Sequence, residues 1–271
     1  GGCKDNTTDP VIDQSNIQLI STYSTYSSTN GVFVMPVNSR NYAFIADGSS
    51  GMQIIDVTNV SQPDSVEGFN TDGDANDIAV AGINGDIYAF ISDYENGCVI
   101  VDVSNPLDPQ LTGEISTVAG SYVATAFVDA VNKILYMGQS TGSVVIFDIS
   151  PLPSAPVFLS SISLGGTTNS LYSTGNTLYA ASGDVGVQIV NVTNPSTPSI
   201  ISSFNTPGIA SDIVVITNYA YVADSYNGLL IYNVTTPSSP VLLSRYPPFQ
   251  QAMGITINNN SLYIADNGYG V

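Results

Sequence analysis

The sequence predicts an all-β fold, a six-bladed β-propeller of four-stranded antiparallel blades, and three observations predict it. An aromatic closes a short apolar run at Phe44, Phe90, Tyr136, Tyr179, Tyr221 and Tyr263, at steps of 42 to 46 residues. Twelve residues after each of the first five stands Asp56, Asp102, Asp148, Asn191 or Asn233, so a rigid unit lies between the two marks and insertions fall outside it. No window carries apolar residues at helical spacing with caps at both ends, because glycine, proline, serine and threonine interrupt every candidate. Four short strands in a repeat of roughly 40 to 50 residues is the pattern of a propeller blade.

Each unit opens on a short apolar strand such as "DIAVAG" (77–82) or "DIVVIT" (212–217). The second strand is "YAFIAD" (42–47), "YAFISD" (88–93), "YAYVAD" (219–224) or "SLYIAD" (261–266), β-branched and aromatic and ending in a turn former. A glycine-bearing tip then leads into "MQIID", "CVIVD", "VVIFD", "VQIVN" or "LLIYN", and two runs joined so closely make a hairpin. Pro63, or the pairs Pro106 with Pro109, Pro195 with Pro198 and Pro237 with Pro240, come next. Proline lacks an N–H and fixes φ, so pairing pauses there before the fourth strand resumes at "SVEGF", "QLTGEI", "VFLSSI", "SIISSF" or "VLLSRY".

The last unit is expected to be short. Twelve residues past Tyr263 lies beyond Val271, while the N-terminal "PVIDQSNIQLISTYST" (10–25) supplies what is missing. Its Val11, Ile12 and Asp13 match the end of "QIID", and Gln18, Leu19, Ile20 and Tyr23 fall in a copy of the fourth strand. The expected organisation is a polar tail (1–10) and one propeller domain (11–271), with 11–25 supplying outer strands of the last blade. That completion can occur within one chain, closing the ring, or in a neighbouring subunit. Strand addition uses the same main-chain hydrogen bonds either way, and the second arrangement is head-to-tail and propagates.

"QIIDVTN", "VIVDVSNPLDPQL", "QIVNVTNPSTPSI" and "LIYNVTTPSSPVL" resemble the LVIVD repeat family of β-propellers, common in secreted and surface-attached microbial proteins. The resemblance spans about residues 30 to 271. It implies the architecture and an extracellular or cell-surface setting, and it carries no agreed catalytic motif.

Composition limits function. Four Lys plus Arg against 22 Asp plus Glu give a net charge of -18, a surface that repels phosphate backbones and anionic lipid. No apolar run reaches the length of about 20 residues that a membrane helix needs. No apolar region follows a basic start, so the chain is expected to be mature or processed. Histidine is absent, which removes Ser-His-Asp machinery and His-ligated metals, and no catalytic residue is assigned. Asp47, Asp93, Asp224 and Asp266 end one repeated strand, and Asp56, Asp102 and Asp148 share their position with asparagine, so structural roles are expected for both sets.

One acidic cluster departs from the repeat. Asp72, Asp74 and Asn76 stand at the spacing that opens many calcium loops, although the sixth position is Asp77 instead of glycine and the twelfth is Ile83 instead of glutamate. They are the calcium candidate, set against a solvated loop, and Asp77 itself matches Asp212; no other cofactor is expected. Cys98 aligns with Met52, Val187 and Leu229, which reads as a small core residue. For Cys3 a disulfide to Cys98, an intermolecular disulfide and a lipoprotein start compete, and Gly1 and Gly2 before it argue against the last. Tyr94, Tyr226 and Tyr269 sit in hairpin tips, where aromatic faces could stack on sugars. Asn6, Asn59, Asn191, Asn233 and Asn259 head sequons.

Three classes of function follow. The first is a non-enzymatic structural or assembly protein that partners itself, polymerising head-to-tail through terminal strand exchange. The second is a monomeric adhesion or ligand-binding propeller for a surface glycan or protein. The third, a carboxylate-dependent hydrolase or lyase, needs paired acids at a channel mouth, for which no constellation is evident.

Overall fold

A computed structural model describes residues 19–117, 120–246, 250–258 and 261–267. They form 22 strands and, among the described residues, no helix, hence none long and apolar enough to cross a membrane. The first sheet holds β1 (Gly31–Val37), β2 (Arg40–Ala46), β3 (Met52–Asp56) and β4 (Asp64–Phe69), and the second β5 (Asp77–Ile83), β6 (Asp86–Ser92), β7 (Cys98–Asp102) and β8 (Gln110–Ile115). The third has β9 (Val123–Asp129), β10 (Ile134–Gln139), β11 (Ser143–Asp148) and β12 (Val157–Ser163), and the fourth β13 (Ser170–Thr174), β14 (Thr177–Ala181), β15 (Val187–Asn191) and β16 (Ser199–Phe204). The fifth has β17 (Asp212–Ile216), β18 (Tyr219–Ala223), β19 (Leu229–Asn233) and β20 (Val241–Tyr246), and the sixth β21 (Ala252–Asn258) and β22 (Ser261–Asp266).

Every sheet is an antiparallel meander, five of four strands and the sixth of two. The first strands pack in succession, β1 on β5, β5 on β9, β9 on β13, β13 on β17 and β17 on β21. Between each pair of sheets lies an apolar core. Phe44, Ile54, Ile78, Val80 and Ile91 fill the first, Phe90, Cys98, Ile100, Ala126 and Leu135 the second, and Tyr136, Ile146, Leu171 and Leu178 the third. Tyr179, Ile189, Ile213 and Leu230 fill the fourth, and Leu229, Ala252 and Ile255 the fifth. The fold is propeller-like, as expected. The periodic aromatic faces the following sheet at each step, and for this reason it recurs: truncating a buried Phe or Tyr to Ala leaves a cavity costing about 3–5 kcal/mol.

The hairpin tips explain the repeated glycine. Gly97 has φ 97°, and a Cβ there would collide with the carbonyl of Ile115 on the fourth strand. The pairing of third with fourth strand carries an irregularity at one place in each complete sheet, between Ile54 and Ile55, Ile100 and Val101, Ile146 and Phe147, Ile189 and Val190, and Ile231 and Tyr232. Such bulges raise the local twist.

Candidate functional site

The repeated phrase is a turn device. Asp56 Oδ1 accepts from the Thr58 N–H at 2.8 Å, Asp102 from Ser104 at 2.9 Å and Asp148 from Ser150 at 2.8 Å. Asn191 accepts from Thr193 and Asn233 from Thr235, both at 2.9 Å. Only the oxygen is used, so aspartate and asparagine interchange there. The Thr58 hydrogen bonds, with a smaller contribution from Arg40 at 3.0 Å, hold Asp56 below the usual carboxylate range.

The aspartates ending the second strands tie loops together. Asp47 accepts from the N–H groups of Tyr26 and Ser27, Asp224 from that of Gly208, and Asp266 from those of Gln250 and Gln251. Asp93 accepts from Thr71 Oγ1 at 2.6 Å.

Asp77 and Asp212 stand at the heads of β5 and β17. Asp77 Oδ2 accepts from Thr125 Oγ1 at 2.8 Å and from the Ala126 N–H at 3.2 Å, and its Oδ1 from Ile78 N–H. Asp212 Oδ1 accepts from Ser170 Oγ at 2.5 Å and its Oδ2 from the Ile255 N–H at 2.6 Å. These two carboxylates therefore fasten the second sheet to the third, and the fourth, fifth and sixth to one another. Desolvation pushes both carboxyls above the usual range, and the charge of Asp212 adds to the shift of Asp77 from three sheets away. Both lie on first strands, which pack on one another in succession and make up the inner wall of the row. Sequence reasoning aligned Asp77 with Asp212 but missed their fastening role, which depends on donors from neighbouring sheets. A second fastener was missed too: the amides of Asn30, Asn76 and Asn169 donate to the carbonyls of Ala75, Ala124 and Ala210 in the following sheet.

Asp72 and Asp74 line, with Gly73, Tyr94, Glu95 and Asn96, an open concavity of about 350 Å³ on the face where hairpin tips gather. Asn76, the third calcium candidate, has its amide turned to Ala124 instead. Among the described residues no three Asp, Glu, Cys or His side chains converge as a metal cluster. Tyr94 stacks on Tyr122 with ring centroids 4.2 Å apart, and Tyr226 is exposed. Cys98 is a free, fully buried thiol whose pKa desolvation raises to about 12, in keeping with a core residue. Cys3, Asn6, Val11, Ile12, Asp13, Gln18, Asn259, Tyr269 and Val271 lie outside the described residues.

The two ends of the row differ from its interior. Ile78 and Val80 on β5 are 4% and 5% exposed because they pack on the first sheet, whereas their counterparts Val32 and Val34 on β1 are 61% and 57% exposed. At the other end Tyr263, counterpart of the buried Phe44 and Phe90, is 38% exposed, and Met253 is 45% exposed. Leu19, Ile20 and Tyr23 are exposed and lie outside any strand, while Ser21 Oγ donates to the carbonyl of Val60 at 2.6 Å. An isolated exposed valine means little, but a pair on a face whose equivalents are all packed marks an unmatched joint.

The family model for the LVIVD repeat matches residues 38–71, 72–117, 165–206 and 207–247, more than half of the chain. No curated protein matches it. Among solved structures, the crystal structure of the computationally designed Ika8 protein superposes with a TM-score of 0.65 at 10% identity, covering 88% of this chain and 68% of that one. A likeness at that identity concerns the fold alone.

Proposed function

This chain belongs to the LVIVD repeat family, and we propose that it is a non-enzymatic structural protein of the cell exterior, a six-bladed module that joins head-to-tail with copies of itself. One observation carries the reading: the exposed Val32 and Val34 at one end and Tyr263 at the other occupy positions that are packed at the joints between interior sheets. A sheet face left open at each end of a repeating row is complementary to the other by construction, and a contact between unlike ends propagates. The non-enzymatic part rests on the inner wall, where both carboxylates are occupied in holding sheets together. The exterior setting rests on the net charge of -18 and the four cationic side chains.

The test is size analysis of native material without reductant, with negative-stain electron microscopy of the same sample. Filaments or ladders of multiples are expected. Compact particles of one chain mass refute the assembly reading. They would favour a second one, in which the ring closes on itself and the stacked Tyr94 and Tyr122 beside Asp72, Asp74 and Glu95 serve as a recognition face.

A further inference from the structure

The open side of the first sheet already carries one segment of whatever covers it. Ser160 Oγ, in the fourth strand of the third sheet, donates to the carbonyl of Pro195 in the next sheet at 2.6 Å, and Ser202 Oγ donates likewise to Pro237 at 2.5 Å. Pro195 and Pro237 each stand four residues after the turn asparagine, Asn191 or Asn233. Val60 stands four residues after Asp56, and Ser21 reaches it with the same bond. The similarity continues beyond that bond. Tyr26 and Ser27 donate to Asp47 as Gln250 and Gln251 donate to Asp266, from the loop that leads out of a fourth strand into a first one. Residues 19–27 thus occupy the place of the fourth strand and exit loop of a sheet preceding the first.

That preceding sheet needs inner strands. β21 and β22 form the one sheet that lacks an outer half among the described residues, and their own chain does not bring them there: Val32, Val34, Met253 and Tyr263 all stay exposed. Building on the head-to-tail reading, we infer that the sheet covering β1 is composite, with β21 and β22 from a second copy and residues 19–23 from the copy being covered. The interface continues, between molecules, the same sheet-on-sheet packing that joins β17 to β21 within one. Its chemistry resembles that of the joint between the third and fourth sheets, where Ala124 and Thr125 hold the fastening positions, and differs from that of the other interior joints. Gly31 and Gly254 take the places held elsewhere by Asp77 and Asp212, and Met253 that of Asn30, Asn76 and Asn169, so the inner wall of this joint has no carboxylate or amide fastener. Apolar contact and main-chain pairing hold it, and salt that screens the net charge of -18 on each copy strengthens it.

The test is crosslinking of a Val34→Cys, Tyr263→Cys variant in a Cys3→Ser background with a short bismaleimide, read on denaturing gels. Val34 corresponds to Val80, which shares a buried cluster with Phe44, the counterpart of Tyr263. The buried Cys98 thiol, with its pKa raised to about 12, does not compete. A ladder of multiples is expected, absent from either single-cysteine variant and denser at 0.5 M than at roughly 0.02 M salt, concentrations chosen to shorten the Debye length several-fold. An internally crosslinked monomer overturns the inference, because the chain's own last sheet then covers β1. Filaments by microscopy without a crosslinked ladder also overturn it, yet leave the assembly reading standing. Monomers by both methods overturn both.

Discussion

Replacing Val32 and Val34 together with lysine strikes the unmatched end face without touching an interior core. Burying a valine side chain fully is worth about 1.5 kcal/mol, and roughly three-fifths of each is still exposed, so filling the joint gains about 0.9 kcal/mol per valine. The pair therefore contributes about 1.8 kcal/mol per joint, a factor of about 20 in the association constant, before any desolvation of the new ammonium groups is counted. Sedimentation velocity across a dilution series, at fixed salt, should show the midpoint of association moved to at least about 20-fold higher protein concentration, while the thermal melt of the dilute protein stays put. The matched control is Ile78→Lys with Val80→Lys. The same two positions one sheet further on are sealed in a core, so that variant should unfold rather than dissociate. An unchanged association midpoint for Val32→Lys with Val34→Lys would refute the claim that this face is the joint.

Three further outcomes follow from the fasteners and the turn. Asp212→Ala removes the acceptors of Ser170 Oγ and the Ile255 N–H, at a cost of about 1–3 kcal/mol, and hydrogen exchange should accelerate over 252–266 more than over the first sheet; uniform exchange would contradict the fastening role. The raised carboxyls of Asp77 and Asp212 make the folded state bind protons more readily than the unfolded one. Their favourable contribution is present below the ordinary carboxylate pKa and is lost as pH climbs through the raised values, so melting temperature should rise on acidification from neutral toward about pH 5. A double variant, Asp77→Asn with Asp212→Asn, should flatten that slope, and a parent slope of opposite sign would sink the argument. Asp102→Asn should leave stability unchanged, as Asn191 and Asn233 make the same 2.9 Å bond, whereas Asp102→Ala should cost about 1 kcal/mol by calorimetry.

Much of this arrangement is legible in a one-dimensional pattern because a repeat writes its constraints several times. The Asp/Asn position announced an oxygen acceptor, since only oxygen is shared by the two residues, and five turns use it that way. Cys98 aligned with Met52 and Val187 and is buried as they are. The calcium candidate shows what spacing leaves out. Asp72, Asp74 and Asn76 have the register of a loop of ligands, and only the coordinates show that the Asn76 Nδ2 donates to the carbonyl of Ala124 in the next sheet, a residue 48 positions away. The end faces were only half legible: the match of "LISTY" to "IISSF" pointed to a displaced fourth strand, and residues 19–25 form no strand, while the bond from Ser21 to Val60 and the exposure of Val32 and Val34 needed coordinates.

The sequence by itself determined the strand pattern, the turn chemistry and the family, because each is set by residues within one repeat of each other and is restated along the chain. Tertiary structure decided which carboxylates fasten sheets, where the inner wall lies and which faces remain open. Those properties belong to contacts between sheets, where donor and acceptor are some 40 residues apart, and no local pattern specifies whether a face finds its partner.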